Sequence, residues 1–521
     1  MTPRVSLKTV KEELKIARYP TSLSITCLII QDSNSLQARV HWAKMTYRIS
    51  WFKPGFQTHF GYDQGVFGGL ISNPSFLDVV GHPSSAFLGF IVSSYNLGCF
   101  SGCGLNFMIG SRWGRKHALW LALFLVITGA VLQCSAYSVP QLITGRIVAG
   151  LDADGLNSQA ELCKPHVRGR LVTTEVSFAC LGVAFAYFFA YGINFAGGEI
   201  AWRLPIAIQI IPAIIISIVL FGLPETPRWL MEQGRIDEAV AVMCHVYGVD
   251  SDDDKIQEEK AAIIHALEIE NADPFRWTNV FKKDRLHTGR RVILAILALS
   301  SNQLAGINVI VVYIAAVLET NVGLSRDQAL IGGGGINFAF VIGSLVPALG
   351  IDRIGRRKPM VIGAIGMALS LLAISVLLSY KGTDKEKATA DAAIGFFVLY
   401  QLFFGASLNG VPWCYGAEIL PLKARVKGIS LAVLANWVWV FIIVEVTPIL
   451  IDRLQWRMYL IFMTTNILMA LMIYFLFPET SRLSLEEIDM IFVADDDPLS
   501  LPQGVSEKSS QSKPGDERVP V

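Results

Sequence analysis

Charged residues are scarce in this chain, at 17% of its 521 residues, against roughly 25% in soluble domains. The acidic and basic residues nearly cancel to a net charge of +1, so there is no electrostatic case for binding nucleic acid. The eight cysteines form no CxxC pair, which removes the usual sequence signal for zinc or redox chemistry. The sequence therefore predicts no nucleic-acid partner and no metal site.

Motifs of catalysis are also missing. The chain contains no HExxH and no nucleophile elbow, and the glycine run 332–335 is not followed by the lysine of a phosphate-binding loop. The first 20 residues lack the apolar core of a cleavable signal peptide. We expect neither an enzyme nor an ATP-driven pump, and no cofactor.

Apolar sequence is abundant, since 52% of the residues are hydrophobic. A helix that spans a bilayer needs about 20 mostly apolar residues. Two stretches that carry polar or charged residues, one ending at Leu70 and one near 141–160, bring the candidate spans to about twelve. The sequence predicts an all-α integral membrane protein. The ten strong stretches lie near 86–110, 117–137, 171–193, 203–223, 292–318, 328–351, 359–380, 392–415, 428–451 and 457–477.

Three sequence markers occur twice in the same order, with the copies 241, 257 and 254 residues apart. Ordered markers at nearly one offset indicate a duplicated half, as in many membrane transporters. The markers are a basic turn (111–116 and 352–357), an acid seven residues before an arginine (Glu161 with Arg168, Glu418 with Arg425) and Pro-Glu-Thr (224–226 and 478–480).

The duplication predicts two six-helix bundles with a cytoplasmic helical linker between them. Lysines and arginines concentrate in alternate loops, which the positive-inside rule places in the cytoplasm. We therefore predict a multi-pass plasma-membrane protein with both termini cytoplasmic. The segments are an atypical amino-terminal segment (1–55), the first bundle (56–223, first and fourth helices atypical), the linker (224–291), the second bundle (292–477) and a partly disordered tail (478–521).

Ionisable residues inside membrane spans are costly and mark functional sites. Asp63 and Arg146 both fall in predicted spans. A carboxylate at Asp63 can take a proton when it faces one side of the membrane and lose it on the other, with Arg146 as its counter-charge. A purely structural ion pair is the alternative.

Polar side chains recur in the spans of the second half. Gln303, Asn308 and Tyr313 share one span at intervals of five residues, and Trp413 and Asn436 lie in the tenth and eleventh spans. Amides offer hydrogen-bond donors and acceptors, and an aromatic face can stack on a sugar ring. Any one of them could instead bond between helices, but the set favours a polyhydroxylated solute over an ion.

The basic turns place guanidinium groups beside carboxylates at the cytoplasmic ends of helices. Charge pairs that form in one conformation and open in another would gate a rocking bundle, although a simple topology signal is the alternative. The candidate gating residues are Arg112, Arg115, Glu161, Arg168 and Glu225 in the first half, and Asp352, Arg353, Arg356, Arg357, Glu418, Arg425 and Glu479 in the second.

As a set, these motifs resemble the sugar porter family of the major facilitator superfamily, in particular the fungal proton-coupled sugar and polyol symporters. The resemblance covers roughly 60–490 and implies alternating access around one central sugar site. It implies sugar contacts from Gln303, Asn308, Trp413 and Asn436, with Phe404 near the ring, and proton coupling by Asp63 and Arg146. The motifs are 61–65 (Gly-Tyr-Asp-Gln-Gly), both Arg-x-Gly-Arg turns, 224–230 (Pro-Glu-Thr-Pro-Arg-Trp-Leu), 303–308 (Gln-Leu-Ala-Gly-Ile-Asn), 412–413 (Pro-Trp), 436–437 (Asn-Trp) and 478–480 (Pro-Glu-Thr).

The chain departs from that family at several positions. Val176 stands where proton-coupled relatives usually carry a sugar-binding glutamine, and Asn302 replaces the first glutamine of the seventh-helix motif. Arg146 and Glu161 are five residues closer than in relatives, which is about 7.5 Å of helix. The solute therefore stays open among sugars, polyols such as glycerol, and quinate-like acids. A sugar uniporter and a non-transporting nutrient sensor are further alternatives, and we expect a monomer in the lipid bilayer.

Overall fold

The computed structural model describes residues 55–151, 168–221, 224–272, 284–483 and 485–493. In this part of the chain every regular element is a helix and no strand occurs, which confirms the all-α prediction. Up to residue 221 the helices are α1 (55–66, continued by a 3-10 turn at Phe67–Gly69), α2 (Pro74–Val80), α3 (Ser85–Trp113), α4 (Arg115–Cys134), α5 (Val139–Gly150), α6 (Arg168–Asn194), α7 (Ile200–Ile208) and α8 (Ile210–Phe221). They are followed by α9 (Pro227–Glu232), α10 (Ile236–Tyr247), α11 (Asp254–Ala272), α12 (Thr288–Leu304), α13 (Ile307–Val311), α14 (Ile314–Val317), α15 (Arg326–Ile354), α16 (Arg357–Leu378), α17 (Glu386–Phe404), α18 (Val411–Ile419), α19 (Arg425–Leu454), α20 (Met458–Leu476) and α21 (Leu485–Ile491).

Nine stretches of the described residues are long and apolar enough to cross a membrane, and the last of them, Lys427–Leu476, contains both α19 and α20. The first weak stretch of the sequence contains α1. The amino-terminal part of the second, predicted near 141–160, lies in the 12-residue helix α5, and its residues 152–160 lie outside the described residues. We call α1 to α8 the first half of the bundle and α12 to α20 the second half. The segments 1–54 and 494–521 lie outside the described residues.

Three of the predicted spans are broken rather than continuous. The span 203–223 breaks at Gln209, because Pro212 has no N–H to donate to the carbonyl of Ile208. The span 292–318 breaks at Gly306, and the span 392–415 changes to a π-helix at Gly405–Asn409. Breaks and π-turns inside membrane helices free main-chain groups to line a binding site.

The outer surface of the bundle is apolar. Large side chains point away from the interior and remain at least 65% exposed, among them Phe124, Ile218, Phe221, Leu349 and Phe475. Asn337 and Gln401, by contrast, are completely buried. A water-soluble protein would not expose such a surface, whereas lipid chains cover it without cost.

The helices α9, α10 and α11 form a small unit with its own core. Leu230, Met231, Ala239, Met243 and Ile256 are buried against one another. Two of these helices, Ile236–Tyr247 and Asp254–Ala272, lie in the segment 224–291 that the sequence predicts to be a helical linker. This unit follows α8 and precedes α12, so it connects the two halves.

The bundle has two distinct ends. At one end α3 turns into α4 at Gly114, and α15 turns into α16 at Gly355. We call this the basic-turn end. The opposite end contains the connections from α1 to α2 and from α14 to α15.

Candidate functional site

The break between α12 and α13 gathers three amide side chains in the interior. Gly306 has a φ of 90°, a left-handed conformation that favours glycine. Gln303 is the centre, because its Nε2 donates to Asn436 Oδ1 at 3.0 Å and its Oε1 accepts from Asn308 Nδ2 at 2.6 Å. All three side chains are buried. The structure thus brings together the three amides that the sequence predicts, and we call them the amide cluster.

Two further amides extend this cluster to the other half of the bundle. Asn302 Oδ1 accepts from Gln303 Nε2 at 2.8 Å, and Asn302 Nδ2 donates to the carbonyl of Leu408 at 2.8 Å. Asn409 Nδ2 donates to Cys180 Sγ on α6 at 3.2 Å. The sequence analysis does not identify Asn409 or Cys180, although an amide four residues before Trp413 is a usable signal.

The other predicted binding residues make different contacts. Tyr313 donates from its hydroxyl to the carbonyl of Val444 at 2.9 Å. Phe404 is buried, with its ring 5.5 Å from the ring of Phe340, measured between centroids. Trp413 is partly buried on α18. Tyr313 and Phe404 thus connect neighbouring helices of the second half. In the described residues, neither side chain hydrogen-bonds to the amide cluster.

Asp63 and Arg146 both lie in the interior, but they do not pair directly in this structure. Arg146 Nη2 donates to the carbonyl of Val92 at 2.5 Å, and its guanidinium lies 3.7 Å from the ring centroid of Phe67. Among the described residues, no carboxylate oxygen lies within 4.0 Å of this guanidinium. The predicted direct ion pair is therefore absent here, because a carbonyl and an aromatic ring hold the guanidinium, although the two charges still interact electrostatically.

Asp63 has an ionisable neighbour that the sequence analysis misses. His59 lies one helical turn earlier, with its Nε2 3.8 Å from Asp63 Oδ2. The ring is almost completely buried, and neither of its nitrogens has a hydrogen-bond partner among the residues that the structure describes. His59 is not among the predicted site residues, although the spacing of four places it on the face of Asp63.

The two basic turns share one local geometry. Gly114 and Gly355 have φ values of 82° and 92°. Glu225 accepts from the main-chain N–H of Lys116 with both oxygens, at 3.0 and 3.2 Å. Glu479 accepts from the main-chain N–H groups of Arg356 and Arg357, at 2.8 and 3.1 Å. Each Pro-Glu-Thr marker thus supplies an anion to the amino terminus of the helix that follows a basic turn.

The second basic turn carries a network of charged groups. Arg356 donates to both oxygens of Glu418, from Nε at 3.1 Å and from Nη2 at 2.8 Å, and Nη2 also reaches Asp352 at 3.3 Å. Burial by itself lowers the pKa of Arg356, but Glu418 and Asp352 outweigh it, so the pKa stands above its ordinary value. We call Arg356, Glu418 and Asp352 the basic-turn network.

The remaining candidate gating residues are less informative. Arg425 donates to the carbonyl of Leu420 at 3.3 Å, and Arg353 is exposed. Glu161 lies outside the described residues, and the side chains of Arg112, Arg115 and Arg168 are likewise outside the part of the structure that is described.

The opposite end has a network that the sequence does not indicate. Arg326, the first residue of α15, donates to the carbonyl of Gly69 at 2.9 Å, to Ser72 Oγ at 2.7 Å and to Asn194 Oδ1 at 2.9 Å. Glu319 accepts from Ser72 Oγ at 3.0 Å. These contacts join the second half to α1 and α6 of the first. We call this set the Arg326 latch.

The family model described as "Sugar (and other) transporter" matches residues 55–492. The chain belongs to the sugar transporter family. It is 35% identical over 442 residues to the MFS-type transporter oryC of Aspergillus oryzae, with 82% of each chain covered. It is 31% identical to the sugar transporter STL1 of Saccharomyces cerevisiae, covering 87% of this chain and 83% of that one.

This sugar transporter also matches a solved structure of the same superfamily. The MFS proton:xylose symporter XylE of E. coli, bound to 6-bromo-6-deoxy-D-glucose, superposes with a TM-score of 0.73 at 23% sequence identity, covering 86% of this chain and 99% of that one. At this level of identity the match establishes the fold. The predictions of the sugar porter family and of the major facilitator fold are therefore confirmed.

Proposed function

We propose that this sugar transporter binds a sugar or polyol at the amide cluster and moves it across the plasma membrane by alternating access, in symport with protons. The amide cluster is the observation that carries the proposal. Gln303, Asn308 and Asn436 are buried amides that converge at a helix break. Amides both donate and accept, so they match the hydroxyl groups of a sugar, and broken helices form the central sites of transporters.

Asp63 supports proton coupling. A carboxyl group inside a membrane span is costly when charged and is a functional candidate for that reason. Asp63 interacts electrostatically with Arg146 but does not pair with it in this structure. A change of conformation that brought the two groups together would favour the charged form of the Asp63 carboxyl over the protonated form. The name of XylE as a proton:xylose symporter supports the same assignment.

Two sets of contacts at opposite ends of the bundle suit alternating access. The basic-turn network would close the cytoplasmic end, and the Arg326 latch would close the outer end. This orientation follows from the lysines and arginines of alternate loops. In the same proposal the halves are the six-helix bundles 56–223 and 292–477, with 224–291 as a cytoplasmic linker and both termini in the cytoplasm.

Uptake in yeast cells without their own sugar transporters tests the proposal. Radiolabelled D-glucose, D-xylose, glycerol and quinate would be offered with and without a protonophore, to the native protein and to Asp63→Asn. We expect one of these solutes to accumulate, and both treatments to abolish the accumulation. Asp78→Asn is the matched control, because Asp78 is an exposed acid of α2 whose side chain contacts His82, two residues beyond the end of the same helix.

Other outcomes separate the alternatives. Equilibration without accumulation, insensitive to the protonophore, would indicate a uniporter. Quinate or glycerol uptake without sugar uptake would indicate an organic-acid or polyol carrier. Failure of a protein that reaches the cell surface to take up any of these solutes would contradict transport and favour a nutrient sensor.

A further inference from the structure

The interface between α3 and α19 contains a second carboxyl group at membrane depth. Glu445 lies nine residues before Leu454, the last residue of α19, which is about 14 Å along the helix. It belongs to one of the apolar spans. Its Oε2 accepts a hydrogen bond from Ser93 Oγ of α3 at 2.5 Å. Because α3 is in the first half and α19 in the second, this contact joins the two halves.

The main chain fixes the position of this contact. A Cβ atom on Gly89 would lie 2.3 Å from the carbonyl oxygen of Glu445, so only glycine allows α3 and α19 to approach this closely. Gly89 is one helical turn before Ser93. The Ser93–Glu445 hydrogen bond is therefore set by two touching helix backbones rather than by flexible side chains.

Glu445 lacks the partners that a charged carboxylate needs inside a membrane. Within the described residues, Ser93 is its one hydrogen-bond donor, and no arginine, lysine or histidine nitrogen lies within 4.0 Å. A carboxylate at this depth with a single neutral partner is costly.

Arg146 is a buried cation that shares neighbours with this group. It donates to the carbonyl of Val92, the residue before Ser93. Tyr313 donates to the carbonyl of Val444, the residue before Glu445, and interacts electrostatically with both Arg146 and Glu445. Arg146 also interacts with Asp63. The Arg146 guanidinium thus has neighbours in common with the carboxyl groups of Asp63 and Glu445. Neither of these two carboxyl groups is within ion-pair distance of the guanidinium.

Few other titratable groups surround this region. On α3 they are Tyr95, whose ring centroid is 5.6 Å from the Arg146 guanidinium, and Cys99. On α1 the group is His59, beside Asp63. Asp452 of α19 lies two turns beyond Glu445 and also contacts α3, through Ser85, but it is exposed at the end of the helix.

We propose that Glu445 is a proton-binding site of this transporter, and that Glu445 and Asp63 alternate as the charged partner of Arg146. When one carboxylate pairs with Arg146, the other carries a proton. A proton from water forms an O–H bond on the free carboxylate, and the reverse step returns it to water on the other side. The proposal rests on the proposed proton symport, and it adds a second coupling acid at the contact between the halves.

Transport by the purified protein in liposomes is the first test. An imposed pH gradient would drive uptake of radiolabelled D-glucose, D-xylose or glycerol. We expect Glu445→Gln to lower gradient-driven accumulation at least tenfold and to flatten its dependence on pH, while exchange of labelled for unlabelled solute continues. Asp452→Asn is the matched control, since it makes a similar change on the same helix against another serine of α3, and it should behave like the native protein. Equal accumulation by Glu445→Gln and Asp452→Asn would overturn the proposal.

A second measurement separates proton binding from a structural role and does not require transport. Infrared difference spectra of the full-length protein after a pH jump would contain a carboxyl C=O band that disappears in Glu445→Gln and persists in Asp452→Asn. Glu445→Asp, which should shift the band, serves if the glutamine variant fails to fold. A spectrum unchanged by Glu445→Gln would overturn the inference. Absence of proton-driven uptake by the native protein, with the band present, would instead overturn the proposed symport alone.

Discussion

At the scale of single residues, Gln303 is the side chain on which the amide cluster depends. It bonds to Asn302, Asn308 and Asn436 at once. Gln303→Ala leaves two buried amides without a partner, at about 1–3 kcal/mol each. We therefore expect the half-saturating solute concentration to rise by about tenfold or more, as measured by initial uptake rates over a range of concentrations.

Asn337→Ala is the matched control for that measurement. Asn337 is also a buried amide of the second half, but it bonds to the carbonyl of Gly333 and to Gln401 rather than to members of the amide cluster. Its loss should reduce stability and leave the half-saturating concentration unchanged. A similar rise in both variants would mean that Gln303 acts through packing rather than through the solute.

Some residues of the candidate sites can be predicted from the sequence, and others cannot, for a physical reason. Gln303, Asn308 and Asn436 stand out because amides are rare in lipid-spanning helices, and the structure brings them together. Glu445 and His59 are equally unusual there, but a single polar residue in an otherwise apolar run does not reveal its partner. Ser93 is 352 residues from Glu445, so only the packing of α3 on α19 exposes their contact.

At the scale of elements, the turn glycines determine how neighbouring helices meet. Gly355 has a φ of 92°, and a Cβ there would lie 2.8 Å from Glu479 Oε2. We expect Gly355→Ala to destabilise the protein by about 1–3 kcal/mol through backbone strain. A lower melting temperature of the purified protein in detergent would show this. Gly335→Ala on the same helix meets no atom within 4 Å and should leave the melting temperature unchanged or slightly higher.

The basic-turn network gives a second test at this scale. Glu418→Gln removes the carboxylate that Arg356 contacts with two nitrogens, and breaking a partly buried pair costs more than breaking an exposed one. We expect lower thermal stability and slower uptake. Glu238→Gln breaks the exposed pair with Arg235 and should change neither property, because exposed pairs contribute little. Equal thermal stability and equal uptake rates of the two variants would show that the basic-turn network contributes no more than an exposed ion pair.

The positions of the membrane helices can be predicted from the apolar stretches of the sequence. The positions of the breaks within these helices cannot. Hydropathy alone places α15, α16 and α19 close to their observed bounds, since each is one uninterrupted apolar run. It cannot place the break at Gly306, because the flanking residues are apolar on both sides and the left-handed turn depends on tertiary packing against Phe462. The amide cluster is located at this break, so the sequence supplies its residues but not its geometry.

At the scale of the whole molecule, the described contacts join the two halves firmly at the end opposite the basic turns. Arg326 contributes three hydrogen bonds to the first half, and Ser72 and Asn194 add bonds to Glu319 and Asp327. At about 1 kcal/mol each, these bonds can favour closure of this end by a few kcal/mol. Such a difference decides which of two conformations is populated.

Arg326→Ala is therefore expected to open this end more often. Leu70 is completely buried beneath the latch, so a cysteine in place of Leu70 reports opening by its reaction with a membrane-impermeant maleimide added outside cells. Loss of about 3 kcal/mol would raise the open population, and hence the labelling rate, by about a hundredfold. Mass spectrometry of the labelled peptide measures that rate without removal of the native cysteines.

Arg203→Ala distinguishes opening of the transporter from general loosening. Arg203 bonds to the carbonyl of Cys134 at 2.7 Å and to Glu199 at 3.0 Å, all within the first half. Its guanidinium also lies over the rings of Tyr137 and Trp202, at 4.5 and 4.3 Å from their centroids. Its removal therefore deletes an arginine and several contacts, but none that the structure shows between the halves. Faster labelling in Arg326→Ala alone would identify the latch as a gate. Comparable labelling in both variants would mean that Leu70 becomes accessible by local unfolding, since of these two arginines Arg326 is the one that contacts both halves.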